Sequence, residues 1–311
     1  MRNKVKINEM EWTEVIKGEV SFVEPMRNHT SLRIGGHADI FVMPEDLQSL
    51  EKIIVFTRER EIPLFPFGGG TNVLVKDGGI EGVVISLKSF RKIEVLREED
   101  GYVYLSVEAG VPLQRLLNFS KERGYSGIEG LAGIPGTVGG AICGNAGSFG
   151  YEMKDVFVSA MIMNSEGKER KFLAEEIDFG YRESGFLPGE LILSAEIRLK
   201  EERREYVSAK VAEFLKMKLE RQPVSELTAG CVFKNPQGLS AGRLIEDIGF
   251  KGMRIGDIEI SKRHGNFFVN KGKASASDFL KLMEEVVKGV KASFGIILEP
   301  EIKIIGRDEV N

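Results

Sequence analysis

Glycine is concentrated in a few short parts of this chain, and this clustering limits the possible folds more than any other feature of the sequence. The chain has 36 glycines but only 10 prolines among its 311 residues. Many of the glycines lie in "SLRIGG" (residues 31–36), "FGGGTNVLVKDGG" (67–79) and "GIEGLAGIPGTVGGAICGNAGSFG" (127–150). Glycine lets the backbone turn tightly and lie close to other groups, so these segments predict tight loops rather than a flexible linker.

Tight loops of this kind direct several backbone N–H groups to one point, which suits the binding of phosphate groups. The standard nucleotide motifs are absent: "GGGTNVLV" lacks the GK[ST] of a P-loop, and "GIPGTVGG" lacks the GxGxxG spacing of a Rossmann turn. For one such cluster, tight turns without any ligand are about as good an explanation as a phosphate-binding site. Because two clusters both end in small-residue turns that contain asparagine (Asn72 and Asn145), we favour a site for a nucleotide cofactor.

Length and composition restrict the class of protein further. A chain of 311 residues predicts about two or three domains, and a net charge of -4 argues against a nucleic-acid partner. Its three histidines and two cysteines show neither metal-ligand nor CxxC spacing, so we expect no metal, and free thiols in a reducing compartment. The first 20 residues lack the apolar segment of a secretion signal, and no apolar run approaches the about 18 residues of a membrane span. We therefore expect a cytoplasmic protein with no membrane partner.

The hydrophobic periodicity alternates between helical and strand patterns, which predicts an α+β fold. Helices are predicted at residues 44–61, at 112–124, before Pro223, at 241–249 and at 275–294. Strands are predicted at residues 82–87, 101–110, 156–164, 192–200, 266–272 and 301–306. The glycine loops stop before residue 200, where we place one domain boundary, with a softer division near residue 85.

Seven segments occur along the chain in an order that resembles one enzyme family. They are "NHTSLRIGG", "FPFGGGTNVLVKDGG", "GLAGIPGTVGGAICGNAG", "GYRES", "AGCVFKNP", "RHGNFFVN" and "LEPEIKIIG", and they span roughly residues 20–306. Together they resemble the UDP-N-acetylenolpyruvoylglucosamine reductase (MurB) family in its shorter form. The glycine segments would fit any flavoprotein of the vanillyl-alcohol-oxidase (PCMH) fold, whereas the "AGxVFKNP" and "LEPEIKIIG" segments are much more specific to the reductases.

The resemblance implies two FAD-binding subdomains, at residues 1–85 and 86–200, followed by a substrate-binding domain at residues 201–311. It places the FAD contacts in the two glycine loops, at Gly68, Gly69, Gly70, Thr71, Asn72, Gly133, Ile134, Pro135, Gly136, Gly139, Gly140, Asn145 and Ala146. It also implies NADPH as the hydride-donating co-substrate. If NADPH and the substrate occupy one cleft in turn, no separate Rossmann domain is needed.

The reaction that the resemblance implies is reduction of an enolpyruvyl ether to a lactyl ether, with the hydride passing from NADPH through FAD to the methylene carbon. The neighbouring carbon then carries negative charge and needs a fixed cation and a proton. Arg182 in "GYRES" matches the family's arginine, and Glu301 matches its glutamate, with Glu299 as the alternative.

Cys231 stands where the family usually has serine, its proton donor. A free thiol has a pKa of about 8.5, so it is expected to donate a proton more readily than a hydroxyl group. The alternative interpretation is a small buried thiol without a chemical role. Cys143, in a glycine loop, is assigned a structural role.

The resemblance also implies a set of substrate contacts, at Lys234, Asn235, Arg221 and Lys262, with Gln222 and His264 nearby. A lysine at a strand end is otherwise usually solvated, and a histidine is more often packed than ligand-binding. Two other functions stay open: another FAD-dependent alcohol or sugar oxidase or dehydrogenase of the same fold, and a non-catalytic nucleotide-sugar-binding module. We expect a monomer that acts on a small nucleotide-sugar molecule.

Overall fold

The computed structural model describes residue 12 and residues 16–187 and 189–308. The α-helices within these last two ranges are α1 (Leu47–Glu59), α2 (Leu113–Arg123), α3 (Val138–Cys143), α4 (Arg204–Arg221), α5 (Ala241–Asp247) and α6 (Ala276–Phe294). Short 3-10 helices span Met26–Asn28, Glu129–Leu131, Met153–Asp155 and Ala174–Glu176.

The strands fall into a first group before residue 110 and a second group after it. The first group is β1 (Gly18–Pro25), β2 (His37–Pro44), β3 (Leu64–Phe67), β4 (Val73–Val75), β5 (Ile80–Ser86), β6 (Ile93–Glu99) and β7 (Tyr102–Glu108). The second is β8 (Tyr125–Ser126), β9 (Gly147–Ser148), β10 (Tyr151–Glu152), β11 (Phe157–Met163), β12 (Glu169–Leu173), β13 (Phe179–Gly180), β14 (Glu183–Ser184), β15 (Leu191–Glu201), β16 (Arg254–Ile255), β17 (Ile258–Ile260), β18 (Phe268–Asn270) and β19 (Lys303–Ile305).

The first lobe is a four-stranded sheet in the order β1–β2–β5–β3, with α1 packed on it. Strand β1 pairs antiparallel with β2, whereas β2 and β3 both run parallel to β5. Parallel strands need a crossover, and α1 supplies it between β2 and β3. Helix α1 begins at Leu47 because the Asp46 side chain accepts a hydrogen bond from the Ser49 N–H at 2.8 Å.

The second lobe is an antiparallel sheet in the order β12–β11–β15–β7–β6, and β8 pairs with the end of β15. Alternate residues of β7 are buried, namely Val103, Leu105 and Val107. They belong to the same hydrophobic core as Val42 and Ile85 of the first sheet. The two sheets therefore share one core, and the glycine loops connect elements that pack on it.

A separate core lies under the carboxyl-terminal part of the chain, where α5 and α6 pack with the sheet β16–β17–β18. Phe233, Phe268 and Phe279 are fully buried and in ring contact. Leu32 and Leu74, from the first lobe, pack into this core as well. Apolar contacts therefore join the carboxyl-terminal part to the first lobe.

Polar contacts make the same connection. Strand β19 returns from the end of the chain and pairs parallel with β4. The Asp77 carboxylate, two residues beyond β4, accepts hydrogen bonds from the N–H groups of Ala276 and Ser277, both at 2.8 Å, at the start of α6. Asp77 thereby satisfies N–H groups that a helix start leaves unpaired.

The structure confirms most of the predicted elements. Helix α2 follows Pro112 and ends at Gly124, whose φ of 76° is left-handed. Helix α4 ends at Arg221, before Pro223, and α6 follows the N-cap Ser275. The domain boundaries near residues 85 and 200 stay predictions, and most of the amino-terminal segment judged not to be a secretion signal lies outside the described residues. Within the described part of the chain, no helix is long and apolar enough to cross a membrane.

Candidate active site

The two glycine loops of the sequence meet in the structure. A Cβ atom on Gly69 would lie 2.7 Å from the Cα of Gly136, and one on Gly68 would lie 3.2 Å from Oγ1 of Thr137. The Thr71 hydroxyl donates a hydrogen bond to the carbonyl of Pro135 at 3.2 Å. Only glycine at position 69 allows this backbone approach, because a distance below 3.0 Å would require the backbone to move.

A pocket of about 210 Å³ opens beside these loops. Gly68, Gly139 and Gly140 contribute backbone to its wall, and most of the remaining lining is apolar. The lining also holds one cationic and one acidic residue, Lys88 and Glu190, and burial and the nearby Arg91 lower the pKa of Lys88. The backbone and apolar surface of this wall fit a cofactor that combines an aromatic ring system with a diphosphate, as FAD does.

The residues predicted to contact the cofactor do not all present free side chains. Asn145 is fully buried, and its amide donates to the Gly180 carbonyl at 2.9 Å and accepts from the Lys154 N–H at 3.1 Å. Asn72 donates to the carbonyl of Glu301 at 3.2 Å. Ile134 and Ala146 are partly buried against the main core. In this region, the glycines and Thr71 therefore form the surface of the loops. Asn72 and Asn145 hold the loops in place through their hydrogen bonds.

Arg182 and Glu301 form an ion pair, although 119 positions separate them. The Arg182 Nε lies 3.2 Å from the Glu301 Oε1, and both side chains are about four-fifths buried (22% and 18% exposed). Arg182 lies in the turn between β13 and β14 with a φ of 62°, a left-handed conformation that is uncommon outside glycine. Its Nη2 donates to the Gly147 carbonyl at 2.8 Å, which holds the guanidinium beside the second glycine loop.

Cys231 is brought to this ion pair by backbone pairing. The Glu301 N–H donates to the Val232 carbonyl at 2.8 Å, and the Lys234 N–H donates to the Glu299 carbonyl at 2.8 Å. The "AGCVFKNP" and "LEPEIKIIG" segments therefore lie side by side. Glu301, and not the exposed Glu299, makes the contact with Arg182.

The electrostatic environment keeps both acidic groups protonated more strongly than usual. Burial raises the pKa of Glu301, against the opposing effect of Arg182 and Lys234. Burial and the Glu301 carboxylate raise the pKa of the Cys231 thiol to about 12, although Arg182, an Asn266 hydrogen bond and Lys218 act to lower it. At neutral pH the Cys231 thiol is therefore protonated. Burial raises the pKa of Cys143, at the pocket wall, to about 11.

The residues predicted to bind substrate are only partly gathered here. Lys234 reaches across to the exposed Glu183, with Nζ 3.2 Å from Oε2. The Asn235 Oδ1 accepts from the Ala241 N–H at 3.0 Å, so it fixes the start of α5. Arg221 and Lys262 are exposed.

His264 is packed rather than free. Its Nδ1 accepts a hydrogen bond from the Asn266 N–H at 3.2 Å, and its ring lies edge-on to Phe267. Burial and Lys251 lower its pKa. Next to it, Arg263 donates to the Leu219 and Gln222 carbonyls at the end of α4, at 3.0 and 3.3 Å. This short stretch therefore holds the end of α4 in place.

Lys218 is a buried cation of the site that sequence reasoning missed. It is 4% exposed, and its Nζ donates to the Ala132 carbonyl in the second glycine loop at 2.8 Å. Burial and the positive charge of Arg182 lower its pKa to about 8, while Cys231 acts in the opposite direction. A signal was present in the sequence, because Lys218 follows Val207 and Val211 at helical spacing on the buried face of α4.

Comparison with protein families finds two matching regions in the chain. Residues 222–305 match the carboxyl-terminal domain of UDP-N-acetylenolpyruvoylglucosamine reductase, and residues 38–172 match an FAD-binding domain. The reductase of Syntrophus aciditrophicus is 39% identical over 293 residues, which cover 94% of each chain. The reductase of Clostridium novyi is 38% identical over the full length of both chains.

Solved structures show the same relationship. The crystal structure of UDP-N-acetylenolpyruvylglucosamine reductase (MurB) from Thermus caldophilus superimposes with a TM-score of 0.78 and 34% identity, covering 93% of this chain and 99% of that one. The BBE-like 1 protein of Physcomitrella patens shares the fold over 62% of this chain, with a TM-score of 0.51 and 15% identity.

Proposed function

The chain belongs to the UDP-N-acetylenolpyruvoylglucosamine reductase family, and from that premise we propose which of its residues carry the reaction. It is an FAD-dependent oxidoreductase with the two-part FAD-binding fold of that family. It reduces UDP-N-acetylglucosamine enolpyruvate to UDP-N-acetylmuramate in peptidoglycan precursor synthesis, with NADPH as reductant.

When bound, FAD accepts hydride equivalents from NADPH and supplies them to the substrate. The backbone of Gly68, Gly69, Gly136 and Gly140 would hold its diphosphate and ring, where the loops meet and no side chain fills the space. The close approach of Gly69 to Gly136, the position of Gly68 and Gly140 in the pocket wall and the mainly apolar lining of the pocket support this assignment.

Arg182 is the fixed cation that stabilises the negative charge developing next to the substrate carboxylate. Its guanidinium has donors left over, because Nε faces Glu301 and one N–H of Nη2 bonds Gly147. The ion pair and the Gly147 contact hold the group in place before substrate binds, so little reorganisation is needed at the moment of reaction.

Glu301 has the second role, to polarise or protonate the enolate oxygen. Its raised pKa supports this role, since a carboxyl group that keeps its proton closer to neutral pH is a better hydrogen-bond donor to an anion. Among the acids of this segment, Glu301 is the one paired with Arg182.

Cys231 gives its proton to the carbanionic carbon. The observation that carries the assignment is its position: backbone pairing sets it beside Glu301, which in turn contacts Arg182, so a proton donor, a carboxyl group and a cation converge. A thiol with a raised pKa is fully protonated at neutral pH and can serve as a general acid.

Lys234, Asn235, Arg221 and Lys262 are proposed to contact the nucleotide-sugar substrate. Lys234 is the best supported, because it belongs to the Cys231 segment and its charge is felt by Glu301. The cellular setting that we propose is the cytoplasm, with a monomeric enzyme divided at residues 85 and 200, whose product serves cell-wall growth, shape and division.

Two substitutions at position 231 test the donor assignment by separating the half-reactions. Cys231→Ser should preserve turnover, because a hydroxyl group can replace the thiol as donor. Cys231→Ala should still allow anaerobic bleaching of the flavin by NADPH, but the enolpyruvyl nucleotide sugar should no longer reoxidise it. Both half-reactions are followed by flavin absorbance, and an alanine variant with normal turnover would contradict the assignment.

A further inference from the structure

The hairpin that carries Arg182 is joined to the second glycine loop at three points. Strands β13 and β14 form this hairpin (residues 179–184), and Arg182 lies in its two-residue turn. The hairpin faces the turn that follows α3 (residues 143–147). The hydrogen bonds between them run from the Asn145 Nδ2 to the Gly180 carbonyl at 2.9 Å, from the Ser184 hydroxyl to the Cys143 carbonyl at 2.8 Å, and from the Arg182 Nη2 to the Gly147 carbonyl at 2.8 Å. Two turns that are far apart in the sequence therefore form one hydrogen-bonded unit.

Arg182 has a backbone conformation that needs support from its surroundings. Its φ of 62° is left-handed, which costs arginine more free energy than glycine or asparagine. Such a conformation persists only where neighbouring groups fix it. The hairpin itself contains only two residue pairs, Phe179 with Ser184 and Gly180 with Glu183, and a short two-stranded hairpin is marginally stable in water. The contacts with the turn after α3 are therefore needed to hold Arg182 in place.

Asn145 is the one fully buried side chain among the three donors, since the other two are partly exposed. Its Nδ2 also donates to the Glu152 Oε2 at 3.2 Å, and its Oδ1 accepts from the Lys154 N–H at 3.1 Å. The amide is thus bonded to three separate groups of the protein. Its own φ of 38° is left-handed, a conformation that asparagine adopts more readily than most residues. Asn145 therefore holds the Gly180 carbonyl in a fixed position.

We propose that Asn145 is a positioning residue for Arg182, which it holds through the Gly180 carbonyl, and that the Ser184 hydroxyl supports the other strand of the hairpin. The inference rests on the role proposed for Arg182, the stabilisation of negative charge on the substrate. A fixed donor stabilises a transition state because it needs no reorganisation during the reaction. A displacement of about 1 Å can lower the rate about a hundredfold.

The test asks whether Asn145 acts through Arg182. Asn145→Gly removes all the side-chain hydrogen bonds and keeps the left-handed backbone without strain. Asn164→Gly is the matched control, because the Asn164 Oδ1 accepts from the N–H groups of Glu166 and Lys168, at 3.0 and 2.9 Å, in the turn between β11 and β12. Each glycine variant is prepared alone and together with Arg182→Ala.

The measurement isolates the second half-reaction in FAD-loaded protein. One equivalent of NADPH reduces the flavin anaerobically, and saturating enolpyruvyl nucleotide sugar is then added. Flavin absorbance gives the rate of reoxidation, which can be followed for hours where it is slow. Equilibrium dialysis of FAD shows separately whether the second glycine loop still binds the cofactor.

With Arg182 present, Asn145→Gly should slow reoxidation at least about tenfold. In the Arg182→Ala background it should change the rate less than about twofold, because a residue that acts only through Arg182 has no effect once the guanidinium is gone. Asn164→Gly should change the rate less than about twofold in both backgrounds. Ser184→Ala removes one partly exposed hydrogen bond and should slow reoxidation about threefold, again only when Arg182 is present.

An equal slowdown by Asn145→Gly in both backgrounds would overturn the proposal, since a side chain that only stabilises the fold acts whether or not Arg182 is there. An unchanged rate in Asn145→Gly would overturn it as well. If that variant does not fold or bind FAD, Ser184→Ala decides: an unchanged rate, or a slowdown that persists with Arg182→Ala, counts against the proposal. Normal reoxidation in Arg182→Ala alone would instead refute the role of Arg182, so the two failures are distinguishable.

Discussion

Asn266→Leu is expected to destabilise the protein, because it removes two hydrogen bonds to the buried backbone of Phe233. Asn266 is 1% exposed, its Oδ1 accepts from the Phe233 N–H at 2.9 Å, and its Nδ2 donates to the Phe233 carbonyl at 2.7 Å. Leucine has a similar volume but makes neither hydrogen bond. The substitution therefore leaves one donor and one acceptor of the Phe233 backbone buried without these partners.

Each buried group left without a partner costs about 1–3 kcal/mol, so the pair costs about 2–6 kcal/mol. The greater apolar burial of leucine offsets about 1–2 kcal/mol of this. We expect a net loss of about 3 kcal/mol in the free energy of unfolding. Urea denaturation at a fixed excess of FAD measures it, with the slope m compared between variants.

Asn118→Leu is the matched control, because Asn118 is exposed on α2 and, among the described residues, its side chain bonds only that of Gln114, at 3.2 Å. Its expected change is below about 0.5 kcal/mol. Since the Phe233 peptide lies in the segment that carries Cys231, product formation in Asn266→Leu should fall more than flavin reduction. A loss of stability below about 1 kcal/mol with unchanged m would refute the reasoning.

Two further predictions concern substitutions in the first glycine loop and at Glu301. Gly69→Ala sets a Cβ 2.7 Å from the Gly136 Cα, so the loops must separate, and FAD affinity measured by equilibrium dialysis should fall at least about tenfold. An unchanged Kd would contradict this. Burial raises the pKa of Glu301, so between the two pKa values the folded chain holds a proton that the unfolded chain has lost. The free energy of unfolding therefore falls as the pH rises from the unfolded pKa of about 4.3 through the raised pKa of the folded state. Glu301→Gln should remove that fall, and parallel Tm–pH profiles for the two proteins would argue against it.

The sequence predicted local features of the fold well, because caps and periodicity are properties of neighbouring residues. Helix α6 begins after Ser275, whose side chain accepts from the Asp278 N–H at 3.0 Å, and ends at Gly295, whose φ is 70°. Such signals need no knowledge of the rest of the chain. Helix α1 is shorter than predicted, because the Asp46 side chain caps it and Pro44 is the last residue of strand β2.

Long-range contacts were beyond sequence reasoning in two ways. The family resemblance favoured Glu301 over Glu299, but which of the two lies beside Arg182 depends on a contact between distant parts of the chain, which no local pattern shows. Lys218 was missed because the many charged residues of α4 suggest a solvated helix. In the folded chain, however, neighbouring parts of the structure bury this side chain. The Asn145 and Asn235 side chains were linked to ligands, yet both bond the protein's own backbone.

Strand β4 cannot pair until residues 303–305 have left the ribosome, because its partner is β19. Roughly 230 residues separate the two strands, which corresponds to about 10–50 seconds of synthesis. During that time the β4 edge stays open to pairing with other chains. Asn72, next to β4, donates a hydrogen bond to the Glu301 carbonyl, so the first glycine loop and the Glu301 segment take their final positions in one late step. Loading of FAD should therefore follow chain release, and polypeptides that terminate before residue 303 should emerge without the flavin.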